Sequence, residues 1–226
     1  MKKALVALAL LLFTTSVDAV TLKLAVRKET VENLNRVGHT ILNANRIPHH
    51  ITFRLVDKEY SRVWLNAREN TIKITDEYTK YFESDDELAA TLAHYIAQAA
   101  DRREGVLRGS FTSIANALSP KKYEYKADKV AVDYLVKAGY NPLALIVTIN
   151  KMAPQTRFDW CGATPLATRR MAEVYEYIYT KYPQYLVQNS YKDNVYYQNF
   201  LLTSKENRAK LEQKVKNNSK RKVNYL

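Results

Sequence analysis

The sequence has a single cysteine, Cys161, in 226 residues. That excludes an intrachain disulfide and any metal site built from several thiolates. Five glycines leave little room for a Gly-rich loop that cradles phosphates. Beyond the N-terminus no segment approaches about 18 consecutive apolar residues, so the body of the chain is expected to be soluble. There is no internal repeat, no low-complexity linker and no DNA-binding motif, and no nucleic-acid partner is expected. Acidic residues are in deficit as well. There are 23 of them against 35 lysines and arginines, a formal net charge of +12. Such an excess favours anionic partners such as an envelope surface, or else is a solvated basic face with no specific partner.

What the chain does have begins with a secretory pattern over residues 1–19. Lys2 and Lys3 precede the apolar run Ala4 to Phe13, and Val17-Asp18-Ala19 is a small-residue cleavage site. The run is half the ~20 residues that a membrane-spanning helix needs. No cysteine follows it, which excludes a lipoprotein anchor. Export to the periplasm or beyond is expected, with a retained short anchor as the alternative. Tyrosine is abundant, with 17 in all and a dense group from Tyr175 to Tyr197. Their helical spacing predicts packing on the core.

The patterning predicts an α+β fold, mostly helical with a small antiparallel sheet. Leu24 to Ala44 repeats apolar residues at helical spacing, through Val26, Val31, Leu34, Val37, Ile41 and Leu42. Pro48 breaks it. Three β-like runs follow, Ile51 to Val56, Arg62 to Leu65 and Thr71 to Ile74. The rest reads as helices. Asp76 to Phe82 is a short one. Ser84-Asp85-Asp86-Glu87 is a capping box that predicts a helix from Asp85 to about Arg103. Further helices are predicted from Pro120 to about Lys137, from Asn141-Pro142 to about Met152, and from Thr164-Pro165 to about Lys181. A last one follows Ser204. The tail Asn217 to Leu226 is expected to be mobile. The domain expectation is a signal over 1–19, one domain over 20–185 and a basic helical extension over 186–226.

The predicted Asp85 helix carries the chemistry. Leu88, Leu92, Ile96 and Ala99 mark one flank, with alanines beside them. Glu87, Thr91, His94, Tyr95 and Gln98 remain as a polar stripe. His94 and Gln98 are four apart and project the same way. Two histidines at this spacing, with a glutamate after the first, would bind zinc and supply a general base. Here the pattern is His94, Tyr95, Ile96, Ala97, Gln98. The next helix offers Glu124 and Asp128, also four apart.

These segments resemble the zinc metallopeptidase family that includes the CAAX prenyl protease, the HtpX heat-shock protease and the BepA-like periplasmic proteases. Five stretches carry the likeness: Leu65-Asn66-Ala67, Ser84 to Ala89, Tyr123 to Asp128, Lys137 to Pro142, and Ala163-Thr164-Pro165 through Arg170. The resemblance implies a helix-rich peptidase scaffold with its small sheet packed on the active-site-type helix. It places His94 at the first zinc ligand, Tyr95 at the general base, Gln98 at the second ligand and Glu124 at the third. Asp128 stands as the partner of a ligand. Arg62, Asn66, Ala67, Thr164 and Arg170 stand along a substrate cleft. Thr164 replaces the family's histidine.

The departures fall on the chemistry. An amide oxygen is a poor zinc ligand beside imidazole or carboxylate. Tyr95 has an ordinary pKa near ~10 and stays protonated at neutral pH. The expectation is therefore a catalytically inactive relative, without a cofactor, that binds protein or peptide segments in the envelope. Two alternatives stand beside it. One is an active zinc endopeptidase with unorthodox ligands, for which the loop histidines His49 and His50 could serve. The other is a basic surface-binding module that uses Lys205 to Lys222. Cys161 reads as a packed thiol rather than a nucleophile.

Overall fold

A computed structural model describes residues 2–48, 50–107, 120–152 and 166–225. The first helix, α1, runs Lys2–Ala44 without a break. Leu34, Val37, Ile41 and Leu42 are fully buried, so the predicted stripe meets the core along its last three turns. Val26 is exposed, unlike its place in that stripe. Arg46, at φ 53°, closes the helix, with the Ile47 N–H donating to Leu42 C=O at 2.9 Å.

Three strands follow: β1 (Thr52–Val56), β2 (Val63–Asn66) and β3 (Thr71–Thr75). Their order is β1-β3-β2. β2 pairs antiparallel with β3, but β1 pairs parallel with it, so the sheet is mixed rather than antiparallel. The reason lies in β3. Its Ile72 and Ile74 are fully buried, and it takes the centre, where both edges can be paired. The connection from Val56 to Val63 is long enough to step over that central strand. Phe53, Leu55, Val63, Ile72 and Ile74 face the core on alternate positions. Gly38 lets α1 lie on β1, because a Cβ there would sit 2.4 Å from the Phe53 ring.

The remaining helices among the described residues are α2 (Asp76–Thr79), α3 (Asp85–Leu107), α4 (Pro120–Lys137), α5 (Leu143–Met152), α6 (Ala167–Lys181), α7 (Gln184–Val187), α8 (Val195–Thr203) and α9 (Lys205–Lys216). The caps are local. The Glu87 N–H donates to Ser84 Oγ at 3.3 Å, and the Glu87 carboxylate reaches back to the Glu83 N–H at 3.2 Å. Asn141 Oδ1 accepts from the Leu143 N–H at 2.9 Å and starts α5. Gly139, at φ 80°, ends α4. Asn194 caps α8 through the Tyr196 and Tyr197 N–H groups.

The stretch after 185 is not set apart from the rest. Tyr191, Tyr197 and Phe200 are buried in the same core as α3, α5 and α6. The tail also differs from the expectation of mobility. Val223 and Tyr225 are buried beside Ala172, and the Tyr225 hydroxyl donates to Glu176 Oε2 at 2.6 Å. Two apolar contacts and a charge-assisted hydrogen bond hold this segment against α6, information that its polar composition conceals.

Candidate functional site

The α3 helix packs on α4 through small side chains. Ala97, Ala100, Ala127 and Val130 line a groove of about 130 Å³ at the junction of the two helices. Small residues let two helices approach closely. One face of the pair then brings Glu124 and Asp128 to His94 and Gln98. From α6, Arg170 completes the cluster.

Its geometry is closed by internal contacts. Gln98 Nε2 lies 2.8 Å from Glu124 Oε1 and 3.0 Å from His94 Nε2, so the amide donates toward both. His94 Nε2 is also 3.3 Å from Glu124 Oε2. On the ring's other side, Nδ1 is 2.7 Å from Asp128 Oδ1, though off the line of a well-aligned N–H. Arg170 grips Asp128 with two parallel hydrogen bonds, Nε to Oδ2 at 2.8 Å and Nη2 to Oδ1 at 2.6 Å. Asp128 is 1% exposed.

The charges respond to one another. Burial alone would raise the Asp128 pKa, but Arg170 and then His94 overcome it and hold the carboxyl well below the usual range. Burial would lower that of His94, yet the Asp128 and Glu124 carboxylates raise it above the ordinary value. Glu124 is lowered, as His94 and Arg170 outweigh its burial. Protonation of His94 at Nε2 would turn a donor toward Glu124 and displace the Gln98 amide.

Tyr95 points away from this cluster. Its hydroxyl donates to Val63 C=O on β2 at 3.0 Å, and its ring meets the His94 ring edge-on at 5.3 Å. Burial pushes the hydroxyl up to about 12. At neutral pH it stays protonated and cannot take a proton from water.

A cleft of about 640 Å³ opens over these groups. Arg62 and the β2 residues Val63 to Leu65 form one wall, and the α5 residues Leu145, Thr148, Ile149 and Met152 help form another. Arg62 and Arg170 line it as the sequence suggested. Asn66 and Ala67 do not. Asn66 Oδ1 accepts from the Arg68 N–H at 3.2 Å and shapes the β2–β3 turn, which draws both residues away. His49, Cys161 and Thr164 lie outside the described residues. Sequence reasoning missed the α5 wall and Arg102, which also lines the cleft. The apolar spacing of Leu145, Ile149 and Met152 was a visible signal, but periodicity alone marks any buried helix face.

A catalytic zinc takes three protein ligands and leaves a position for water. Of the three positions here, His94 Nε2 and Glu124 are good donors and the third is an amide. That amide turns its N–H groups to the other two, and an N–H cannot coordinate a cation. The Arg170 guanidinium, 3.9 Å from Glu124 Oε2, adds positive charge at the same carboxylate. The residues do not fit a catalytic zinc.

No protein-family model matches the chain. No curated protein matches it either.

Proposed function

We propose that this chain is a non-catalytic metallopeptidase-type scaffold, exported to the cell envelope, that binds extended peptide or protein segments without cutting them. One observation carries the reading: the Gln98 amide bridges His94 and Glu124, where a second histidine would have completed a zinc site. Tyr95 supports it from the neighbouring position. Its hydroxyl stays protonated and is engaged with β2, so it offers no base. The resemblance in five sequence stretches supports the scaffold. The open cleft beside an edge strand supports the binding role, because an extended chain gains main-chain hydrogen bonds by adding to such an edge.

The experiment is a paired assay of zinc content and proteolysis on the wild type and on a Tyr95→Glu/Gln98→His variant. The wild type is expected to cleave no unfolded protein substrate. The variant is expected to gain zinc, since it restores the third ligand. Proteolysis by the wild type that is lost in His94→Ala would overturn the proposal.

A further inference from the structure

We infer that the cleft takes an acidic, extended segment as an added strand on β2, and that Tyr95 is the latch this strand displaces. The inference rests on the peptide-binding reading and names the class of segment.

The order β1-β3-β2 leaves β2 paired on one side. The Thr75 N–H donates to Arg62 C=O at 3.0 Å. In the antiparallel alternation Arg62, Trp64 and Asn66 therefore turn their peptide groups toward β3, while Val63 and Leu65 turn theirs outward. This matches the register of Val63 opposite Ile74 and Leu65 opposite Ile72. The outward Val63 C=O is the one that accepts from the Tyr95 hydroxyl. That hydroxyl thus occupies the place an incoming strand would give to an N–H. A strand entering along β2 must exchange one donor for another at Val63 and gains new bonds at Leu65.

Charge selects the strand. Among the described residues lining the cleft, Arg62, Arg102 and Arg170 face one carboxylate, Glu124. The Asp128 carboxylate lies beneath them, buried and already held by Arg170. Arg62 stands immediately before the edge strand, with its guanidinium 5.5 Å from the Trp64 ring centre. Arg102 stands two turns beyond Tyr95 on α3. An acidic segment meets complementary charge at both ends of this groove, and a basic one meets repulsion.

The test uses short, end-capped, fluorescein-labelled peptides that alternate valine with glutamate or valine with lysine, titrated by anisotropy at low salt. The glutamate peptide is expected to bind roughly five- to tenfold tighter. Arg62→Glu/Arg102→Glu is expected to abolish that preference. Tyr95→Phe, checked for folding by its melting curve, is expected to tighten both peptides severalfold, because Val63 C=O becomes free. Weaker binding by Tyr95→Phe overturns the latch. A preference that survives Arg62→Glu/Arg102→Glu, or disappears in Lys220→Ser/Arg221→Ser with its altered exposed tail charge, overturns the acidic selection. Equal binding of both peptides also overturns that selection and leaves the peptide groove standing. Binding of neither peptide overturns both.

Discussion

Removing the Arg170 guanidinium would leave Asp128 ionised and buried, with His94 Nδ1 as its remaining polar contact in the cluster. Breaking a buried ion pair from one side costs about 3–5 kcal/mol. Arg170→Ala is expected to lose an amount of this order in urea unfolding. Arg170→Ala/Asp128→Asn is expected to recover part of it, since the stranded charge is gone. A double variant no more stable than the single one would contradict this account of the pair. The same scale shows what was legible. His94, Gln98, Glu124 and Asp128 lie on two helices with a four-residue spacing on each, and that periodicity brings each pair to one face. Tyr95 was legible as a side chain that offers no base but not as a partner of Val63. Nothing local in a sequence tells which carbonyl a tyrosine will reach.

Two contacts between elements carry further predictions. Gly38 lies where α1 crosses the Phe53 ring, and a Cβ would stand 2.4 Å from it. Gly38→Ala is expected to destabilise by about 1–3 kcal/mol, against an intrinsic helix gain of about 1 kcal/mol. Phe53→Leu should relieve that cost, so the double variant should be less destabilised than the two single changes added together. Calorimetric melting checks it. The second contact is the tail. Glu176 is held below the ordinary carboxylate range, because Lys214 and the Tyr225 hydroxyl outweigh its burial. Its folded pKa is depressed, so its contribution is present above about pH 4.3 and fades as pH falls through the folded value. The stability difference between wild type and Glu176→Gln is therefore expected to shrink on acidification below that pH, as read by urea unfolding at pH 7 and under acid. A difference that grows there would contradict the docked tail. Helix starts at Ser84 and Asn141 were legible because caps are local chemistry. The parallel pairing of β1 with β3 was not, because strand order is settled by which strand best fills the centre.

At the scale of the whole molecule, burial unites what the sequence suggested were two parts. The basic C-terminal stretch shares the core through Tyr197 and Phe200, so its charge is presented by a fixed surface rather than by a free arm. Deleting the residues from Ser204 onward is expected to lower the melting temperature, since Leu211, Val223 and Tyr225 would leave α6 and α8 uncovered. An unchanged melting temperature would contradict that packing. The mostly helical fold and small sheet were legible from periodicity, and the proposed binding role depends on how helix, sheet edge and charge meet around one cleft. The residues of this cleft do not fit a catalytic metal. Zinc per chain, measured on purified wild-type protein after dialysis against micromolar zinc at neutral pH, tests this misfit most directly. Far less than one equivalent is expected, unchanged in His94→Ala. One equivalent of zinc that disappears in His94→Ala would contradict it.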